Sequence, residues 1–311
     1  ADYINKDKDS LLTGENIVMT CGAAGALNVV LKTILNPGEE VIVFSPYFVE
    51  YLFYIDNFGG KPVIVKTLEN TFEPDIDAFR KSITPKTKAI IMNSPNNPTG
   101  IIYSEDVLSK MADVISKKER EYNSSILLIA DEPYDKIVYD DAKVPSVLKM
   151  FKNSVIVNSF SKSLALPGER IGFIAANNKI DNIDTFMNGL IFSNRTLGFV
   201  NAPAIFQRVI SESLDQTVEI EGYQKKRDIL YNHLINAGFK CNKPQGAFYL
   251  FPKTFIDDDK EFSKRAAKYN LLLVPGSGFG CPGHVRLAYC ISLKTIENSL
   301  PAFLELAKEF K

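Results

Sequence analysis

Three apolar runs in the first half of the chain end on residues able to do chemistry. Residues 88–93 lead into Ser94-Pro95-Asn96-Asn97-Pro98-Thr99-Gly100, residues 126–130 into Asp131-Glu132-Pro133-Tyr134, and residues 155–158 into Ser159-Phe160-Ser161-Lys162-Ser163. Arg170 follows Lys162 by eight residues. An amide, a carboxylate, a phenol, an amine and a guanidinium therefore fall at or near strand ends, where ligands gather in open α/β sheets. A lysine amine can form an imine with an aldehyde, and a buried carboxylate favours a neighbouring cation. Only two histidines occur, His233 and His284, so a mechanism resting on several histidines is excluded by count. Cys21, Cys241, Cys281 and Cys290 are scattered without a close CxxC pair, which argues against a zinc or redox centre and reads as reduced thiols in a cytoplasmic protein. Taken singly, each polar residue has a plainer reading. A lysine between two serines is ordinarily exposed, an Asp at a strand end can cap the next helix, and Asn97 and Tyr134 can be a turn residue and a core residue.

The elements that must position these residues follow from hydrophobic periodicity. Short β-branched runs at 16–21, 40–45, 62–66, 88–93, 126–131, 154–159 and 171–176 alternate with longer amphipathic stretches. This is the pattern of an α/β fold, a mainly parallel seven-stranded sheet with helices on both faces. The last two runs are too close for an easy helical crossover, so 171–176 is expected to run antiparallel. Gly22-Ala23-Ala24-Gly25 after the first run reads as a tight turn opening a helix. A long charged helix at 217–237 introduces a smaller α+β C-terminal domain with strands at 247–251, 271–275 and 284–288 and helices around 260–269 and 293–310. The expected division is 14–214 for the large domain and 215–311 for the small one, with 1–13 a residual N-terminal segment. Residues 257–260 read as a solvated charged turn. With 36 basic and 37 acidic residues and no basic stripe, nucleic acid is not an expected partner. No segment has the apolar length of a bilayer span and the first ten residues do not resemble a signal peptide, so a soluble chain is expected.

Together, in this order and at this spacing, the motifs resemble the class I and II aminotransferases of the aspartate aminotransferase fold, from about residue 14 to the C-terminus. The resemblance implies a pyridoxal-5'-phosphate (PLP) enzyme of fold type I, with Lys162 holding the cofactor as an imine and moving the α-proton of the substrate. Asp131 would be the partner of the protonated pyridine nitrogen, and Asn97 and Tyr134 the donors near the phenolic oxygen. Ala23 and Ala24 at a helix start, Ser159 and Arg170 would cradle the phosphate. Phe48, in Ser45-Pro46-Tyr47-Phe48, matches the ring that stacks on the cofactor, with a core phenylalanine as the alternative. Arg286, in Val285-Arg286-Leu287-Ala288, resembles the arginine that grips the substrate α-carboxylate, alongside Asn97. Arg195 lies near the place where some members carry a second arginine for a distal carboxylate, and equally fits a surface arginine. His284 is either a supporting contact or a polar strand start.

The implied activity is transfer of an amino group between an L-amino acid and a 2-oxo acid by a homodimer. The same framework serves carbon–sulfur lyases, because the pocket decides the fate of the same carbanion. A non-catalytic PLP-binding sensor is a further alternative, although nothing resembles a helix-turn-helix. A nicotinamide dehydrogenase is set aside because residues 21–25 lack the G-x-G-x-x-G spacing. The family normally carries several dozen residues before the first large-domain strand, where this sequence has few. That material lines the substrate entrance and sends a tyrosine to the neighbouring subunit's cofactor phosphate, so a complete pocket is not expected from these residues alone.

Overall fold

The β-branched runs pair into one sheet with strand order β1-β7-β6-β5-β4-β2-β3. The strands are β1 (Ile17–Thr20), β2 (Glu40–Ser45), β3 (Lys61–Lys66), β4 (Thr87–Asn93), β5 (Leu127–Asp131), β6 (Ser154–Ser159) and β7 (Gly172–Ala176). The structure, a computed structural model, describes residues 1–310; Lys311 lies outside them. Neighbours from β3 to β6 pair in parallel, whereas β7 lies antiparallel to both β6 and β1. The reversal expected for β7 is thus present. Its cause is the short link from β6, which holds only the one-turn helix Phe160–Ser163, too little for a helical crossover.

Side-chain alternation divides the core into two layers. Ile42, Phe44, Ile90, Met92, Leu128 and Ala130 face one side, with Leu108, Met111 and Leu148 from covering helices. Val41, Val43, Ala89, Ile91, Leu127 and Ile129 face the other, with Leu27, Val30, Leu31 and Leu190. Both faces are therefore covered by helices, and each fully buried Val, Leu or Ile contributes about 1.5–3 kcal/mol. This rigid sheet fixes the ends of β4, β5 and β6 relative to one another, which is what places their polar residues.

A second sheet, with order β8-β10-β9, is antiparallel: β8 (Tyr249–Leu250), β9 (Val274–Pro275) and β10 (Val285–Ala288). The strands expected at 247–251 and 271–275 shrink to two residues each. Pro252 has no N–H to extend β8, and Leu272, at 88% exposed, lies outside the ladder. The long helix is Ile220–Ala237, since Glu219 at its start is extended. The turn at 257–260 is not merely solvated: Asp258 caps the helix Asp259–Ala267 by accepting from Lys260 and Glu261 N–H groups. Asp259 is buried, and its Oδ2 accepts from Ser277 N at 2.6 Å, which ties that helix to the Gly-rich turn.

Candidate active site

The ends of β4, β5 and β6, the start of the helix after β1, the segment after β2, and β10 converge on one cavity of about 360 Å³. Ala23, Ala24, Phe48, Asn97, Asp131, Tyr134, Ser159, Lys162, Arg170 and Arg286 all line it. A larger depression of about 740 Å³, between residues 70–73, 101–105 and 142–150, gathers none of them, so size does not mark the site. Arg195 is exposed on the helix Ile183–Thr196 and does not line the cavity. His284 stacks on Phe251, with ring centroids 5.0 Å apart, and lines a different depression.

Lys162 is carried by the one-turn helix after β6 and is half-buried, with Nζ 5.6 Å from the centroid of the Phe248 ring. Burial lowers the proton affinity of its amine, and the guanidinium charges of Arg170 and Arg286 act in the same direction. Two flanking serines therefore do not make it an ordinary surface lysine. Asp131 ends β5 and is buried; no helix follows for it to cap. Tyr51 donates to Asp131 Oδ2, whereas Oδ1 is buried without any partner. Burial pushes this carboxyl up to about 7, against the Tyr51 hydrogen bond and with help from the Glu132 charge. A buried carboxylate with one unpartnered oxygen is suited to a cationic N–H group.

Asn97 is held by its backbone N–H, which donates to Asn93 Oδ1 at 2.7 Å, while Asn93 Nδ2 donates to the Asp131 carbonyl at 2.9 Å. The end of β4 is thereby locked to the end of β5. Asn97 Oδ1 accepts from Arg286 Nη1 at 3.0 Å, so the side-chain amide nitrogen remains as a donor. Tyr134 and Tyr249 hydroxyls are 3.0 Å apart, and burial raises both phenols, which keeps them protonated. The Arg286 guanidinium lies 4.7 Å from the Tyr249 ring centroid and 4.9 Å from that of Phe279, and its Nε is buried without a partner. Phe48 is partly buried and packs edge-on against Tyr51, 5.6 Å between centroids.

At the other end of the cavity the helix Gly22–Ile34 starts with no side-chain cap, leaving its first N–H groups available to an anion. Gly22 has φ of +73°, and a Cβ there would sit 2.7 Å from Arg170 Nη2, so a side chain at 22 would displace the guanidinium from the helix start. Arg170 Nη1 donates to the Pro167 carbonyl at 2.8 Å, and Ser159 ends β6 beside it in the cavity lining. Uncapped N–H groups, a guanidinium and a hydroxyl form a donor set for a phosphate; Asp131 Oδ1 and Arg286 Nε, both unpartnered, suit a protonated ring nitrogen and a carboxylate. The residues fit PLP and an amino-acid substrate on these observations. Tyr51 and Tyr249 were not singled out from the sequence. Tyr51 stands three residues after Phe48, one helical turn on, and that spacing was the available signal; Tyr249 read only as a strand residue.

A family model described as "Aminotransferase class I and II" matches residues 1–303. The chain belongs to this family. The aminotransferase is 35% identical over 315 residues to an aspartate aminotransferase of Bacillus subtilis, covering 96% of this chain and 78% of the relative. Among solved structures it is similar to an aminotransferase from Eubacterium rectale, with a TM-score of 0.98 and 38% identity over 100% of this chain and 78% of that one. An aspartate aminotransferase from Thermus thermophilus with maleate superimposes with a TM-score of 0.86 at 30% identity, covering 98% of this chain and 80% of that one. The expected fold, aminotransferase class and PLP cofactor are borne out. Among the described residues no helix is long and apolar enough to cross a membrane.

Proposed function

We propose that this aminotransferase moves an amino group from an acidic L-amino acid, aspartate first among them, to a 2-oxo acid at the cavity around Lys162. The observation that carries the reading is the convergence of all ten side chains on one cavity with two unpartnered buried polar atoms of complementary demand. The names of the Bacillus and Thermus relatives support aspartate as the donor.

Lys162 Nζ would hold PLP and would accept the proton from the substrate α-carbon; its lowered proton affinity favours both tasks. When bound, PLP supplies an electron sink for the pair left on that carbon. Tyr51 orients Asp131, which would hold the proton on the pyridine nitrogen, while Asn97 and Tyr134 would donate to the phenolic oxygen and Phe48 would cover the ring. Ala23 and Ala24 N–H groups, Ser159 and Arg170 would hold the phosphate. Arg286, sandwiched by Tyr249 and Phe279 and turned by Asn97, grips the α-carboxylate with a pre-set fork. Replacing it, Arg286→Lys, should raise KM for aspartate and for the 2-oxo acid by about 10–100-fold, the loss of one charge-assisted pair. Steady-state kinetics with aspartate and 2-oxoglutarate measure this, and an unchanged KM would remove Arg286 from the substrate site. No turnover with that pair would set aside the acidic donor.

We place the PLP-binding unit at 14–214 and the smaller unit at 215–311, with 1–13 before them; a third apolar cluster around Leu230, Leu234, Phe262 and Phe303 supports the division. The stripe Ile191, Phe192, Val200, Ile205 and Val209 is apolar and exposed, which supports a homodimer closing over this face around Arg195. Sedimentation at about twice 34.7 kDa is expected; a monomer at micromolar concentration contradicts it. Four free cysteines accord with a cytoplasmic setting.

A further inference from the structure

Tyr249 lines the cavity, yet its hydroxyl has no part in the chemistry described so far. The segment after β5 and the residues leading into β8 are laced together by their backbones. Ala247 N donates to the Ile137 carbonyl and Tyr139 N to that of Gln245, each at 2.9 Å, while Ile137 N donates to the Tyr134 carbonyl at 2.8 Å. Gly246 makes this close approach possible, since a Cβ there would sit 2.8 Å from the Ile137 carbonyl oxygen. β8 is itself held in register by β10, where Tyr249 pairs with Ala288. The backbones under Tyr134 and Tyr249 are therefore fixed relative to each other before any ligand arrives.

Both side chains are buried, their rings meet edge to face with centroids 5.8 Å apart, and their hydroxyl oxygens are 3.0 Å apart. Among the described residues neither hydroxyl has another hydrogen-bond partner. Either can donate to the other, so the direction is set by what else the pair must satisfy. Each phenol carries one proton and can also accept. An anionic oxygen is the better acceptor, because a charge-assisted hydrogen bond is roughly twice as strong as a neutral one. Once the Tyr134 proton is directed at such an oxygen, the Tyr134 hydroxyl oxygen can only accept, and Tyr249 is the donor within reach. Burial keeps both phenols protonated for this arrangement.

We propose that Tyr249 is a positioning residue for the cofactor-facing phenol: its hydroxyl donates to the Tyr134 oxygen and so commits the Tyr134 proton to the phenolic oxygen of PLP. The proposal rests on the role given above to Tyr134. Linked donors polarise one another, which strengthens the bond from Tyr134 by about 10–30%. The ring of Tyr249 has a separate task, lying 4.7 Å from the Arg286 guanidinium, so phenylalanine at this position keeps the ring and removes only the donor. A proton on the Lys162 imine is stabilised by negative charge on the neighbouring phenolic oxygen, and donors to that oxygen draw the charge down. Loss of a donor therefore lets the imine keep its proton to higher pH.

The test is the visible imine band of the PLP-loaded protein as a function of pH, together with PLP affinity measured by titrating cofactor-free protein at one pH. The charged and titratable groups facing the imine are Arg170, Arg286 and Cys290 around Lys162, Asp131, Glu50, Tyr51 and Tyr54 across the cavity, and Tyr223, whose ring packs on Phe248. The variants leave all of them in place. In Tyr134→Phe the midpoint of the band should rise by about one unit and PLP affinity should fall about ten-fold, the loss of one charge-assisted hydrogen bond. In Tyr249→Phe the midpoint should rise by about 0.3 unit and affinity should fall about two-fold, the part of that bond that polarisation supplies. The double variant should match Tyr134→Phe alone, because Tyr249 acts only through Tyr134. The affinity arm stands whatever the pH range over which the band titrates. Wild-type midpoint and affinity in Tyr249→Phe, or a double variant in which the two effects add, overturns the proposal. A midpoint that falls in Tyr249→Phe overturns it as well, because Tyr249 would then compete for the Tyr134 proton. Wild-type behaviour in Tyr134→Phe overturns the role of Tyr134 itself, whereas a shift there with none in Tyr249→Phe overturns only the part given to Tyr249.

Discussion

Lys162→Ala is expected to lower turnover by at least about 10⁴-fold, the upper range of what a positioned acid–base group contributes. The variant loses both a covalent hold on the cofactor and the group that takes the α-proton. The rest of the cavity keeps its parts: Asp131, Ser159, Arg170 and Arg286 stand on other elements and do not depend on the lysine for their hydrogen bonds. PLP should therefore still bind, without a covalent link, and a small primary amine added to the assay should restore part of the rate. Steady-state and amine-rescue kinetics measure this. Retention of more than about 1% of the wild-type rate would assign the proton transfer to another group.

Asp131→Asn is expected to cost about 10²–10³-fold in turnover, the scale found when one group stabilising developing charge is removed. The same substitution carries a signature in the cofactor-free protein. The Asp131 carboxyl is raised by burial to about 7 in the folded chain, against an ordinary value near 3.9. A raised carboxyl means that the folded state holds its proton more tightly than the unfolded one. The stability it lends is fully present below about pH 4 and is lost as pH rises through about 7. The loss by pH 8 is on the order of 4 kcal/mol. Asparagine stays neutral and can still accept from Tyr51, so cofactor-free Asp131→Asn should melt higher than wild type at pH 8 and close to it at pH 4. Calorimetry at the two pH values checks this; equal melting temperatures at pH 8 would mean that Asp131 is not a strained, desolvated charge.

The parts legible in the sequence were those whose signal is local. Alternating β-branched runs gave seven strands with ends within a residue of those observed, and the short interval before residue 171 announced the reversed strand. Lys162, Asp131 and Asn97 could be singled out because each sits in a short polar motif closing such a run. What stayed hidden depends on contacts between distant segments. Tyr51 reaches Asp131 across 80 positions, and Tyr134 meets Tyr249 across 115. No local periodicity marks a tyrosine that will be aimed at a carboxylate rather than packed as core. Nothing local marks Lys8 for burial, since its partner Glu132 stands on another element. Asp259 read as solvated for the same reason, its partner being the N–H of Ser277. The two short strands failed because pairing in the small sheet is limited by Pro252 and by an unpartnered Leu272, which propensity does not register.

Reductive trapping decides whether Lys162 is the cofactor's lysine. Protein loaded with PLP is treated with borohydride, digested and mapped by mass spectrometry. The expected result is one stable pyridoxyl adduct, on the peptide containing Ser161-Lys162-Ser163. An adduct on any other lysine, or loaded protein that yields no adduct, would contradict it.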